Sequence, residues 1–461
     1  MDTFPTRLLL SLLMLINLFN QTSAQVVNST APPEPYASGT KSNSVTSLEL
    51  EKWRQARFGM FIHWGLYAIP AQGEWYVFSR QVDYEDYKKL SNQFTADKFD
   101  ANEWASAARQ AGMNYMVLTA RHHDGFALWD SPSSFEQFTS MKSAAKKDFV
   151  AEYTNACRNA GLMVGLYYSP LDWRFPGFFF PKMYRKSAED MRDQTYSQVK
   201  ELLSNYGKID ILWYDGGGDE WLGLGGLEWG FGKSWHQRDK TKKYDGKPLW
   251  EPEKLQSMVR NLQPQIITND RSGADGDFQS REMKIGDFNN SVPWEKCGTI
   301  NGVWGYKDVP ARPLHKIIEE LTNTVCRDGN FLLNVGPRAD GTIAPDQLFR
   351  LHEIGAWMKV NGEAIYGTRG GPLLPTEFSG TTHTDKSVYV HIWKWPTDAK
   401  ITLEKLPSKI INATVLSGGK VNVKTNDQGL VELTRVGNAN EMPIAIIKLN
   451  IHRNEKSKTV K

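Results

Sequence analysis

The chain has 461 residues, of which 55 are basic and 52 acidic, for a net charge of +3. This near balance excludes the basic footprint of a nucleic-acid binder, and the length allows a catalytic domain with a smaller accessory one. The 16 Trp, 17 Tyr and 21 Phe residues are an excess of rings of the kind that stack on the apolar faces of sugars, although a large core uses them too.

Residues 1–24 read as a secretory signal. Arg7 precedes an apolar stretch from Leu8 to Phe19, and Thr22-Ser23-Ala24 offers small residues for cleavage. The stretch is about 12 residues, short of the roughly 20 needed to span a bilayer. The expected product is exported: secreted or periplasmic, and lysosomal or extracellular in a eukaryote. Residues 25–45 are rich in Ser, Thr, Pro and Asn and read as a flexible lead-in.

From 46 to 366, short apolar runs alternate with amphipathic stretches. The runs Phe58–Trp64, Tyr115–Thr119, Met163–Ser169, Ile209–Tyr214, Gln265–Thr268 and Phe331–Val335 predict strands. Helices are predicted over Ala101–Ala111, Asp148–Ala160, Ala188–Tyr206, Glu253–Leu262, Leu314–Cys326 and Asp346–Val360. This alternation argues for an α/β fold with a parallel sheet, closed as an irregular (β/α)8-like TIM barrel with fewer than eight clear pairs. The segment Gly216–Trp250, rich in Gly, Trp and charge, reads as a long loop beside an active site. From 367 to 452 the texture changes to short runs between Gly, Asn and Pro turns, the pattern of a C-terminal all-β sandwich. Residues 453–461 form a charged tail.

Cysteine usage gives no framework: Cys157, Cys297 and Cys326 are an odd count whose spacing fits no zinc site. Three glycosylation sequons, at Asn28, Asn289 and Asn412, matter only in a eukaryotic host.

The chemistry gathers at strand ends. The run Ile211-Leu212-Trp213-Tyr214 reads as a strand buried on both faces and leads straight into Asp215 and then Gly216-Gly217-Gly218. A carboxylate there is either a turn residue or a nucleophile displayed at the carboxyl end of a barrel strand. His63 ends the first run, with Glu74 and Trp75 one loop on. Arg121-His122-His123-Asp124 ends the second, Tyr167-Tyr168-Ser169 the third, and Asn269-Asp270-Arg271 the fifth. A barrel brings these groups to one face, where hydrogen-bonding groups on aromatic backing make a polyol pocket. A metal site at His122-His123-Asp124 with His63 is disfavoured, because adjacent residues on a strand point to opposite faces; Asp124 is instead a candidate to orient a histidine from behind. Glycoside hydrolysis needs a second carboxyl group. Glu282, in a loop-like segment, and Glu295, flanked by Trp294 and Lys296, are the candidates. Lys296 would favour the charged form of Glu295, which counts against it as an acid.

Four runs, Phe58–Gly65, Arg121–Phe126, Leu212–Gly216 and Asn330–Pro337, occur in order. Together they resemble glycoside hydrolase family 29, the α-L-fucosidases, over about residues 46–450. The resemblance implies an irregular barrel followed by a β-sandwich, and retaining hydrolysis of α-L-fucosides through a covalent fucosyl-enzyme without metal or cofactor. By motif position it implies Asp215 as nucleophile and His63, Glu74, Trp75, His122, His123, Tyr167, Trp213 and Arg271 as fucose-binding residues. It likewise implies Trp304 as the ring that packs on the sugar methyl group. Glu282 and Glu295 both remain acid/base candidates by resemblance, with Glu282 preferred. The Gly216–Trp250 segment looks like an insertion relative to simpler members. The partner is then a fucosylated oligosaccharide or polysaccharide. The rival readings are an α-L-galactosidase, a non-catalytic fucose-binding protein and a metal-dependent hydrolase.

Overall fold

The computed structural model describes residues 47–216, 246–436 and 444–452, together with the backbone of 227–229 and 238–243. The signal at 1–24, the lead-in up to 45, the tail at 453–461 and most of the 216–250 segment lie outside the described residues. All described residues belong to one compact unit of the chain, 34–461.

Eight strands build the first sheet: β1 (Phe58–Ile62), β2 (Tyr115–Arg121), β3 (Met163–Tyr168), β4 (Ile211–Tyr214), β5 (Ile267–Thr268), β6 (Gln279–Glu282), β7 (Trp294–Thr299) and β8 (Asn330–Val335). Their spatial order is β5-β4-β3-β2-β1-β8-β7-β6, every pair parallel. A single parallel bridge, Asn269 to Phe278, joins the two edge strands. Going round the sheet therefore follows the chain, as in a (β/α) barrel.

The strands are apolar throughout because both faces are covered. In β1, β2 and β4, Met60, Ile62, Met116, Leu118, Leu212 and Tyr214 face the shell of helices. The alternate residues Phe61, Tyr115, Val117, Ile211 and Trp213 fill the lumen with Tyr167, Leu332 and Trp53. A Cβ on Gly59 would lie 2.4 Å from the Tyr115 ring, so glycine is what lets that ring cross β1 into the lumen.

All six expected helices form, over Ala101–Gln110, Phe149–Asn159, Arg185–Asn205, Pro252–Leu262, Leu314–Cys326 and Pro345–Asn361. No helix follows β5 or β6, and the connections 269–278 and 283–293 are loops, with one isolated bridge at the ends of the first. This is the irregularity that the pair count implied. The structure also corrects the reading of Glu282's segment: Gln279–Glu282 is a strand, not a loop. No helix follows it in the chain and it is only half-buried, so its sequence carries no apolar run to betray it.

The segment read as a long loop carries a strand pair, Leu227–Trp229 antiparallel to Arg238–Lys243, and a short helix, Lys247–Trp250. Two further antiparallel sheets complete the chain. Arg369–Gly370, Ser379–His383, Ser387–Ile392, Ala445–Ile451 and Ile410–Val415 form one; Lys400–Leu403, Val431–Val436 and Lys420–Thr425 form the other. Val388, Val390 and Leu449 from the first share a core with Ile401, Leu403 and Leu433 from the second, so the sheets pack as a sandwich. Cys157, Cys297 and Cys326 are buried free thiols.

Candidate active site

Asp215 sits one residue beyond β4 and is surrounded by donors. Its Oδ1 accepts from the Arg271 guanidinium (2.8 Å) and from its neighbour's amide, Gly216 N (2.7 Å). Its Oδ2 accepts from the Tyr167 hydroxyl (2.7 Å), with His123 Nε2 at 3.3 Å. Gly216 makes its contact at φ 106, where an L side chain is strained. Burial pushes the Asp215 carboxyl up, but the hydrogen bond and charge of His123, the charge of Arg271 and the Tyr167 hydroxyl outweigh it. They hold the carboxyl well below its usual range, as an ionised group with one edge reaching solvent.

Neutral imidazoles line the opening. His63 follows β1, and its Nδ1 lies 2.6 Å from Asn334 Oδ1. The Asn334 amide nitrogen is committed to the Trp304 carbonyl (2.7 Å), so its oxygen must face the histidine. His63 therefore donates from Nδ1 and keeps Nε2 as an acceptor. Burial lowers its pKa to about 4, with the Asn334 bond pulling the other way. His122 is also held neutral by burial and by the neighbouring His123 and His63. Because the protonated ring cannot accept, the His63 contribution to binding of the sugar that the motifs imply should be constant from neutrality down to about pH 4 and be lost below it. Comparing the KM–pH profiles of the wild type and His63→Ala checks this, and a His63-dependent rise centred near pH 6.5 would contradict the His63 geometry.

Aromatic rings form the walls. Trp75 meets His123 edge-on at 5.6 Å and Trp173 at 5.1 Å. Trp304, half-buried, tilts against His63 at 5.1 Å and meets Phe61 at 6.0 Å. The loop carrying Trp304 is tied down by Glu74, whose Oε2 accepts from Gly305 N (2.8 Å); burial raises the Glu74 carboxyl above its ordinary range.

The two candidate acids occupy different places. Glu282 is the last residue of β6, with its side chain 46% exposed, and its Oε2 accepts from Arg271 Nη2 at 3.4 Å. One guanidinium thus holds both Asp215 and Glu282. Glu295 is the second residue of β7, at the amino end of its strand and 1% exposed. It accepts from the Tyr115 hydroxyl (2.6 Å) and from Trp213 Nε1 (3.0 Å). Lys296 does not act on it as expected: strand alternation turns the lysine outward to Glu320 at 3.2 Å. Burial instead pushes the Glu295 carboxyl up to about 7.

Two further expectations are corrected. His122 and His123 lie just past the end of β2, where alternation no longer applies, and their rings approach to 4.1 Å. Ligand atoms of His122, His123 and Asp215 fall within 4.8 Å of one another, close enough to hold a small cation. A cation there would have to displace the Tyr167 hydroxyl or face the Arg271 charge. Among the described residues the Asp124 carboxylate bonds to no histidine: it accepts from the Tyr87 hydroxyl (2.6 Å) and Phe126 N (3.3 Å). Ser169 is the group behind His123, at 2.6 Å from Nδ1.

The α-L-fucosidase family model matches residues 23–363, most of the chain. The chain belongs to the α-L-fucosidase family. Among its relatives, the plasma α-L-fucosidase of Homo sapiens is 32% identical over 417 residues, covering 80% of this chain and 82% of that one. The α-L-fucosidase isoenzyme 1 structure from Paenibacillus thiaminolyticus aligns with TM-score 0.74 and 32% identity, covering 88% of this chain and 99% of the other. A Bacteroides thetaiotaomicron α-L-fucosidase, trapped as a covalent intermediate with 2-fluoro-fucosyl fluoride, shares the fold with TM-score 0.76 at 24% identity, over 92% of this chain and 98% of that one.

In this α-L-fucosidase family member, His63, Glu74, Trp75, His122, His123, Tyr167, Arg271 and Trp304 gather around Asp215, directly or through one another. Trp213 lies beneath them, and Glu295 is apart. Sequence reasoning missed Asn334 and Trp173 as supporting residues, and named Ser169 only as a strand end. Asn334 carried a signal, as a polar residue inside an apolar strand that must find a partner. Trp173 stands on a turn whose course no periodicity reveals.

Proposed function

We propose that this family member hydrolyses terminal α-L-fucosides with retention, Asp215 acting as nucleophile and Glu282 as acid/base. The observation that supports this best is the set of donors that keeps the Asp215 carboxylate ionised, with a solvent-reached Glu282 close enough to touch the same Arg271 side chain. In the first step an Asp215 oxygen attacks the anomeric carbon. The bond to the leaving oxygen breaks as that oxygen takes the Glu282 proton. In the second, Glu282 removes a proton from water, which attacks the same carbon and releases fucose and the Asp215 carboxylate. His63 Nε2 and its neighbours accept and donate to sugar hydroxyls, and Trp304 offers an apolar surface to the methyl group at carbon 6. The substrate on this reading is a fucosylated glycan. Residues 1–24, read as a cleaved secretory signal, would take the enzyme outside the cytosol.

Rates on aryl α-L-fucoside and α-L-galactoside test the sugar. One hydroxyl against an apolar pocket discriminates by only ~1–3 kcal/mol, so the fucoside should lead by that margin; a faster galactoside would reverse the assignment. For the acid/base, Glu282→Ala should lose ~10²–10⁴-fold in kcat and recover with azide, giving a fucosyl azide. Absence of rescue, beside a rescued Glu295→Ala, would move the role to Glu295.

A further inference from the structure

Three residues form a column under the nucleophile. The Trp213 ring stacks on Tyr167 at 5.7 Å with the planes 14° apart, and the Arg271 guanidinium lies over the same indole at 5.3 Å. Tyr167 and Arg271 are the two side chains that bind opposite oxygens of Asp215, and Arg271 also binds Glu282. The orientation of both reacting carboxyl groups therefore depends on where one indole lies. That indole is 2% exposed, and its N–H is bonded to Glu295 Oε1.

From this geometry we infer that Glu295 is a positioning residue: it anchors Trp213 from the floor of the barrel and thereby aligns Tyr167 and Arg271 on Asp215. This rests on the fucosidase reading given above and changes the part Glu295 plays in it. Glu295 is itself fixed on its other oxygen by Tyr115, the ring that Gly59 admits to the lumen. The groups facing it are Tyr115 from β2, Trp213 from β4 and Cys297 two residues along β7, none of them a cation at neutral pH; Lys296 is bound to Glu320 instead. A buried indole N–H left without an acceptor is costly, so without Glu295 the ring would turn toward another acceptor. What the site needs from residue 295 is an acceptor for the indole and a partner for the Tyr115 hydroxyl. Glutamine can supply both, accepting from Trp213 and donating to Tyr115, whereas leucine supplies neither.

The test measures kcat and KM on an aryl α-L-fucoside for wild type, Glu295→Leu, Glu295→Gln, Trp213→Phe and the Glu295→Leu/Trp213→Phe double variant, with thermal unfolding as a check on folding. Misalignment of this size costs up to ~10²-fold in rate. Glu295→Leu should show that loss in kcat with KM within about threefold, and Glu295→Gln should restore kcat to within about threefold of wild type. The double variant should be no slower than Trp213→Phe by more than about threefold, because both act through one contact. Wild-type kcat in Glu295→Leu would overturn the inference, as would losses that multiply in the double variant. So would a Glu295→Gln enzyme as slow as Glu295→Leu and rescued by azide, since that marks an acid/base. If Glu295→Leu does not fold, Trp213→Phe with wild-type kcat would overturn it. Failure of the wild type to cleave any fucoside would sink the fucosidase reading, a distinct outcome.

Discussion

Asp215→Ala should lower kcat on an aryl α-L-fucoside by roughly 10⁴-fold or more, about 5.5 kcal/mol of barrier, while leaving the fold intact. On the proposed mechanism the variant removes the attacking oxygen, and no neighbour can replace it. Tyr167 is kept protonated by burial, with the Asp215 charge adding to the effect. Glu282 hangs from the far nitrogen of the same guanidinium. Small external anions such as azide or formate should restore part of the rate by entering the vacated space, and the product of azide should have the configuration opposite to that found with Glu282→Ala. A 2-fluoro-fucosyl fluoride should label the wild type on the peptide containing Asp215. Label on any other side chain, or an Asp215→Ala enzyme with near wild-type turnover, would remove Asp215 from the chemistry.

The second large effect concerns stability. Asp328, 3% exposed and just ahead of β8, is held by three arginines: Arg57 (2.7 Å), Arg54 (3.1 Å) and Arg369 (2.5 Å). It also accepts from Gly370 N at 2.8 Å. One carboxylate thus ties the helix Ser47–Ala56, the turn into β8 and the first strand of the C-terminal sheet. Arg57 is 1% exposed, so removing its anion strands a buried guanidinium. Breaking such a pair costs ~3–5 kcal/mol, a large part of the 5–15 kcal/mol that holds a typical domain. Asp328→Ala should therefore unfold at markedly lower denaturant concentration than wild type, and a loss below ~1 kcal/mol would show that the cluster is not what joins these elements. Because the site lies before the amino end of β8, kcat of the folded fraction should be unchanged.

How far the sequence carried this picture depended on burial. Ile211–Tyr214 and Asn330–Val335 are covered on both faces, so their composition announces strands, and the six helices that alternate with the strands show their period, whereas Ser47–Ala56, whose Trp53 enters the lumen, did not. Gln279–Glu282 is only half-buried and no helix follows it, so nothing in its residues required an apolar run, and its strand was illegible. The strand Trp294–Thr299 hid for a related reason. It mixes an inward glutamate with an outward lysine, and only the fold shows that Glu295 bonds to Tyr115 and Lys296 to Glu320. The gathering of His63, His123, Tyr167 and Arg271 near Asp215 followed from strand ends meeting on one face. The column of Glu295, Trp213 and Tyr167 could not be read, because contact across a lumen leaves no spacing along the chain.

The single guanidinium between Asp215 and Glu282 has an electrical consequence for the cycle proposed here. Before reaction Asp215 carries the negative charge and Glu282 the proton. In the fucosyl-enzyme Asp215 is a neutral ester and Glu282 is the anion. Counting Arg271, the trio sums to zero in both states, so the pocket completes its turnover without drawing a counter-ion in or driving one out. Arg271 needs only to shift its weight from one carboxyl to the other.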